Sequence, residues 1–339
     1  MDPDFLAFHY QIRRLWGEEQ LCRYEPGGYH PVHLGDLFKD GRQRQWVSLK
    51  ILTADATKDS REPETLRTLQ QDQSLHHIVR LLDSFVHTGP NGSHQCLVLE
   101  LLGPSVEQGL KNDKESGEQT DPDVVLKVAK QLLEGLASLH AAGYAHGDVS
   151  ARNMAFTSAS LQACSKDDLF ELVGTPRTEE LRPDDGQPLK TGLPKYVVGS
   201  TYWDLWIEED EEDIRLIDFG EAFARGAEPT KIAQPFGLRA PETVFSSHID
   251  HKIDLWRAGC VIYYLAFSCK PFQGYGLEGL IGDMIDFVED LPAEWRPKWE
   301  EMKRTTKNTL DEILEYEKPE VPRLDQRFHQ TVHEPKLQL

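Results

Sequence analysis

Apolar positions along this chain recur with two periods. In DPDVVLKVAKQLLEGLASLHAAGYAHGD, residues Val124, Val128, Leu132, Leu136 and Leu139 fall three or four apart, the spacing of one helix face, and Asp121 or Asp123 can start that helix. A second helix is predicted over roughly Arg61 to Gln71, with Pro63 in its first turn, where proline is tolerated. WVSLKIL, around Lys50, alternates as a strand does, and HHIVRLLDSF and CLVLELLGPS read as two more strands. GCVIYYLAFSCKPF is apolar on all sides and predicts a buried helix ending near Pro271, too short to span a membrane. Arg23 to Phe38, RYEPGGYHPVHLGDLF, reads as a Gly- and Pro-rich loop feeding a strand, and residues 1–21 as a short amphipathic lead-in.

Length and composition narrow the class. A chain of 339 residues with 39% hydrophobic content suits one two-lobed domain or two small ones. The 37 Lys and Arg against 57 Asp and Glu leave a net charge of −20. That balance argues against direct nucleic-acid binding and favours a basic partner, although solubility alone also accounts for it. The five cysteines, Cys22, Cys96, Cys164, Cys260 and Cys269, lie far apart with no C-x-x-C pair, so reduced, mostly buried thiols inside a cell are expected. MDPDFLAFHY has no basic region before an apolar run and is not read as a signal peptide. The expectation is therefore an intracellular monomer of cytoplasm or nucleus, without membrane attachment.

The chemistry concentrates in two stretches. AHGDVSARN places Asp148 and Asn153 five residues apart with Arg152 between them, and LIDFGEAF brings Asp218, Phe219 and Gly220 seventy residues after Asp148. Phosphoryl transfer needs metal ions on the phosphates and a carboxylate to orient the attacking hydroxyl, and Mg²⁺ takes oxygen ligands. Asp and Asn also suit ordinary turns, so either stretch alone is weak. Two further matches follow in order: RAPE (Arg239 to Glu242) and DLWRAG (Asp254 to Gly259).

Together these resemble the protein-kinase pattern H-R-D-x-x-x-x-N, D-F-G, A-P-E and D-x-W-x-x-G, with Gly147 standing where the pattern has Arg. The resemblance implies roles. Asp148 is the catalytic base, Asn153 and Asp218 hold metal, and Arg152 supplies the positive charge that kinases place at the Ser150 position. Lys50 contacts the α- and β-phosphates and pairs with Glu62, with Glu64 as the other candidate. Adenine meets the backbone of a hinge from Glu100 through Leu102 to Gly103. Leu66, Leu81, His146 and Phe219 take the internal packing positions.

The prelude Arg23 to Phe38 is similar to the Y-x-P-G-G-Y-H-P-V-x-x-G-D-x-F opening of SR-protein kinases, and GEAF and LRAPE resemble variants in fungal members of that family. The resemblance spans roughly residues 22–323. It implies an α+β, two-lobed kinase fold: a small, incomplete β-rich N-lobe over 22–103 and a helical C-lobe over 104–323, followed by a tail over 324–339. An insert over 157–213 contains EEDEED (Glu208 to Asp213), which either receives Arg-rich substrate or is a solvated loop before a strand. Two departures stand out. No G-x-G-x-x-G lies between Phe38 and Lys50, and Glu242 finds no arginine partner, so the C-terminal subdomain reads as cut short.

The implied activity is ATP- and Mg²⁺-dependent transfer of phosphate to serine in arginine/serine-rich proteins. Two other readings stay open. One is a pseudokinase scaffold, since without the Gly-rich loop the phosphates lose a lid and several N–H donors. The other is a small-molecule phosphotransferase, since HGD…N with IDFG also resembles aminoglycoside and choline kinases; the prelude, RAPE and DLWRAG argue against it.

Overall fold

The computed structural model describes residues 10–11, 19–39, 46–109 except 73, 111, 120–183, 187–246 except 202 and 204–211, 248–288 except 273 and 275, and 290–310. Most of the lead-in, most of the acidic run and the tail lie outside these residues.

In chain order the elements are β1 (Tyr10–Gln11), β2 (Val47–Ile51), α1 (Ala54–Asp59), α2 (Glu62–Leu69), β3 (Leu81–Gly89), β4 (Gly92–Glu100), α3 (Pro122–Ala141), β5 (Tyr144–Ala145), β6 (Met154–Phe156), α4 (Ala159–Ala163) and α5 (Lys166–Val173). There follow β7 (Thr178–Glu180), β8 (Arg182–Pro183), β9 (Tyr196–Val198), β10 (Ile214–Leu216), β11 (Phe223–Ala224), α6 (Glu242–Phe245), α7 (Lys252–Phe267), α8 (Gly276–Phe287) and α9 (Arg296–Leu310). Two compact units form: Met1–Asn112 with Met154–Gly220, and Asp113–Asn153 with Glu221–Leu339.

The first unit is built on a three-stranded antiparallel sheet in the order β2-β4-β3. Its centre is β4, where Cys96, Leu97, Val98 and Leu99 are all buried, as a strand covered on both faces requires. α2 turns Leu66 and Leu69 inward, three apart on one face. β10 pairs antiparallel with β6 and extends by backbone bonds to the segment before β3: Leu216 N–H donates to His77 O and Val79 N–H to Leu216 O. The prelude wraps the same unit: Ala54 and Asp55 N–H groups bond Gly28 and Gly27 carbonyls, and Arg23 lies over the Tyr29 ring at 4.8 Å.

The insert, polar and proline-bearing in sequence, is in part regular. Its described residues form α4, α5 and three short strands: β7 pairs with β9, and β8 with β1. Ser165 and Asp168 close a capping box at the start of α5, a local signal that holds even a short helix. Leu181 and Val197 make a small core with Leu21, Leu189 and Leu193 around them. Asn91, in the β3–β4 turn and 3% exposed, donates to both Tyr29 O and Gly192 O, fastening the insert to the prelude. At the end of the acidic run, Glu212 is buried and Asp213 exchanges bonds with Thr157.

The second unit is helical. α3 starts at Asp121, whose side chain accepts from Asp123 N–H, and buries Val128, Leu132, Leu136 and Leu139. It packs on α7, which ends at Phe267 with Ser268 in the left-handed region (φ 52°), four residues before the expected stop near Pro271. Cys260, Tyr263, Phe272, Leu280, Met284 and Phe287 close the core between α7 and α8. Trp256 stacks on Phe272 with centroids 5.4 Å apart. All five cysteines are free thiols; Cys96 and Cys260 are buried and the other three half-buried, so burial is less general than the spacing suggested. Among the described residues no helix is long and apolar enough to cross a membrane.

Candidate active site

In the first unit the site is organised by one ammonium. Lys50, opposite Leu97 in the sheet, sends Nζ to both oxygens of Glu62 at 2.8 and 2.7 Å and to Asp218 Oδ1 at 2.7 Å. Glu62 is 2% exposed whereas Glu64 faces solvent, which decides between the two candidates. α2 begins at Glu62, and Pro63 at the start of the helix leaves no interior N–H unpaired. Glu62 Oε1 also accepts from Phe219 N–H at 3.0 Å, so one buried carboxylate joins the lysine to the DFG backbone. Burial would lower the Lys50 pKa, but the charges of Glu62 and Asp218 outweigh it and raise it above the ordinary value.

Asp218 adopts φ 61°, a left-handed conformation that aspartate tolerates better than most residues. Phe219, Leu66 and Leu81 are buried as expected of internal packing residues. The Glu100 side chain turns to Arg80 N–H (2.8 Å) and toward Arg215 (3.6 Å), so its carboxylate has a structural task. Leu102 lies outside helix and strand, and its backbone polar groups have no partner among the described residues.

In the second unit the loop after β5 is held from below by α7. Asp254, fully buried, accepts from His146 N–H at 2.8 Å, Gly147 N–H at 2.9 Å and His140 Nε2 at 2.9 Å. Gly147 has φ +79°, and a Cβ there would stand 2.3 Å from the Glu221 carbonyl oxygen. The departure from H-R-D therefore has a geometric reason: this backbone admits glycine only. Asp148 follows. Its Oδ2 accepts from Asn153 Nδ2 at 2.7 Å, which also donates to Asp148 O at 2.9 Å. Its Oδ1 accepts from Arg257 Nη1 at 2.6 Å. Arg152 is exposed in the single 3-10 turn Ala151–Asn153.

Sequence reading used DLWRAG as a signature and gave neither Asp254 nor Arg257 a task. The available signal was an arginine inside an otherwise apolar helix, a placement rarely tolerated without a partner. Glu242 is half-buried, its pKa raised chiefly by desolvation, and among the described residues no cation pairs with it.

Asn153 and Asp218, one in each unit, each carry an oxygen of the kind Mg²⁺ takes. Asn153 spends its NH₂ on Asp148, which leaves its amide oxygen without a protein donor among the described residues, and Asp218 is a carboxylate. Hard cations take such oxygens, one or two from protein and the remainder from phosphates and water. Among the described residues no group of three or more His, Cys, Asp and Glu side chains could hold a metal ion.

Comparison with known proteins gives the same direction. The family model "Protein tyrosine and serine/threonine kinase" matches residues 23–171, and "Protein kinase domain" matches 204–332. The serine/threonine-protein kinase SRPK of Physarum polycephalum is 27% identical over 276 residues, covering 72% of this chain and 64% of that protein. Protein kinase dsk1 of Schizosaccharomyces pombe is 26% identical over 260 residues, 68% of this chain and 45% of its own length. The serine/threonine-protein kinase SKY1 of Saccharomyces cerevisiae is 30% identical over 171 residues, 40% of this chain and 23% of its own. The chain thus spans less than two thirds of the length of these relatives. Protein-kinase models thus match the chain in two consecutive stretches, and the SRPK and dsk1 kinases are similar to it over most of its length.

Proposed function

We propose that this protein is an ATP-dependent serine/threonine protein kinase acting on arginine/serine-rich proteins. The observation that carries the reading is the Lys50 ammonium held at 2.7–2.8 Å by the buried Glu62 carboxylate and by Asp218. Lys50 would take the α- and β-phosphates, the Leu102 backbone the adenine edge, and Arg152 the γ-phosphate. The substrate hydroxyl oxygen forms its bond to the γ-phosphorus as the bond to the ADP oxygen breaks, and the hydroxyl proton passes to Asp148. Asn153 and Asp218 would hold Mg²⁺, which neutralises charge on the β- and γ-phosphates. A net charge of −20 favours a basic substrate through long-range attraction.

The absence of G-x-G-x-x-G between Phe38 and Lys50 supports a second reading, a nucleotide-binding scaffold with impaired transfer, because positioning supplies most of phosphoryl-transfer catalysis.

The test is a thermal-shift titration with Mg·ATP followed by phosphate transfer to an arginine/serine peptide. A ligand at one hundred times its Kd stabilises the folded state by about 2.7 kcal/mol. Wild type is expected to shift saturably and phosphorylate the peptide; Asp218→Asn should lose the shift; Asp148→Ala should keep it and lose transfer. A shift without transfer in wild type selects the scaffold. Transfer by Asp148→Ala at the wild-type rate refutes the site assignment.

A further inference from the structure

Arg257 is an arginine with no exposed surface, in the middle of α7. Its guanidinium spans two groups: Nη1 donates to Asp148 Oδ1 at 2.6 Å and Nη2 to the Ala233 carbonyl at 3.1 Å, while buried Nε has no partner among the described residues. Burying a cation is costly unless it is paired and hydrogen-bonded, so a residue kept in this place answers to the groups it binds. The carboxylate is 28% exposed on its other side.

We infer that Arg257 is a positioning residue for phosphate transfer, fixing the Asp148 carboxylate and tying it to the segment through Ala233; the inference rests on the kinase reading above. The physical reason lies in the torsion about the Asp148 Cβ–Cγ bond, which is broad and poorly defined for aspartate. One donor, Asn153, leaves the carboxylate free to swing about that contact. A second donor on the opposite oxygen, from a different element, fixes the plane. Each oxygen retains a lone pair for a hydroxyl proton, so both contacts are compatible with the role of base. Arg suits the task because its planar fork binds carboxylate and carbonyl together in one geometry; a lysine point charge cannot. The residue before Asp148 cannot help, since Gly147 has no side chain and its backbone admits none. The Ala233 contact gives the guanidinium its second effect. Carboxylate and backbone segment are set by the same rigid group, so displacing one displaces the other.

The experiment measures kcat and KM for ATP in Arg257→Met and Arg257→Lys, with melting temperatures and amide exchange over residues 230–236. Arg257→Met is expected to lower kcat on the order of a hundred-fold, the scale of a roughly 1 Å misplacement. KM for ATP should stay within about twofold, since Lys50 and Glu62 are untouched. Arg257→Lys should recover part of kcat but leave 230–236 exchanging faster than wild type, because one ammonium cannot hold both partners. If Arg257→Met fails to fold, Arg257→Lys carries the test alone. Wild-type kcat and exchange in Arg257→Lys overturn the inference, as does a higher kcat in Arg257→Met, which would make the arginine a restraint. An inactive wild type is a different outcome, since it defeats the kinase reading and not the contact.

Discussion

Replacing Asp254 by alanine tests whether α7 anchors the loop from His146 to Asn153. The side chain has no exposed surface and accepts three bonds, two of them from consecutive backbone N–H groups at 2.8 and 2.9 Å. Hydrogen bonds to a charged acceptor contribute about 1.5–3 kcal/mol each, and a stranded buried donor keeps its full desolvation cost. Two stranded amides give roughly 3–6 kcal/mol, and removal of the carboxylate's own burial penalty moves the expectation to the lower end, about 3 kcal/mol. For a unit of this size that corresponds to a fall of about 6–12 °C in melting temperature. Differential scanning fluorimetry reads the fall, and amide exchange at His146 and Gly147 locates it. Asp254→Asn keeps one acceptor oxygen and turns an NH₂ toward the remaining donors, so it should melt between alanine and wild type. If the alanine variant melts within about 2 °C of wild type and both amides stay protected, the anchor assignment is wrong.

Two other perturbations follow from the geometry. Gly147→Ala should destabilise by about 1–2 kcal/mol through its left-handed φ alone, with the contact to Glu221 O in addition, and chemical denaturation measures it. His30 lies 4.6 Å from His87 and 5.1 Å from His94 by ring centroids, and burial first, then those imidazoles, lower its pKa to about 4. The unfolded chain takes the proton near pH 6.5 and the folded one resists it, so this contribution is intact above about pH 6.5 and declines toward pH 4. A His30→Gln variant should show a shallower loss of stability than wild type across that interval.

The parts legible in the sequence are those whose chemistry depends on residue type at fixed spacing. Lys50 and Glu62 sit on predicted elements and meet as expected, because a strand lysine and a helix-starting glutamate are determined by local periodicity. Asp148 and Asn153 meet because the five-residue step between them ends in one 3-10 turn that brings them round. The insert was opaque for the opposite reason. Its strands are two or three residues long, below any periodic signal, and their partners lie far off in sequence, such as Tyr10 for Pro183. Arg257 was opaque because its meaning lies in Asp148 and Ala233, 109 and 24 residues away. Glu100 illustrates the converse, a residue read as part of a hinge whose side chain turns to the Arg80 N–H and toward Arg215.

Each compact unit is made of two separated stretches of chain, Met1–Asn112 with Met154–Gly220, and Asp113–Asn153 with Glu221–Leu339. During synthesis at about 5–20 residues per second, the first unit cannot close its β6–β10 ladder until residue 216 has emerged. By then α3 and the loop to Asn153 are already outside the ribosome, waiting for α7 and its carboxylate. The order of events is thus interleaved. The β2-β4-β3 sheet can form early from contacts close in sequence, whereas the loop from His146 to Asn153 must wait for Asp254. A nascent chain of this design spends much of its synthesis with its chemistry unassembled.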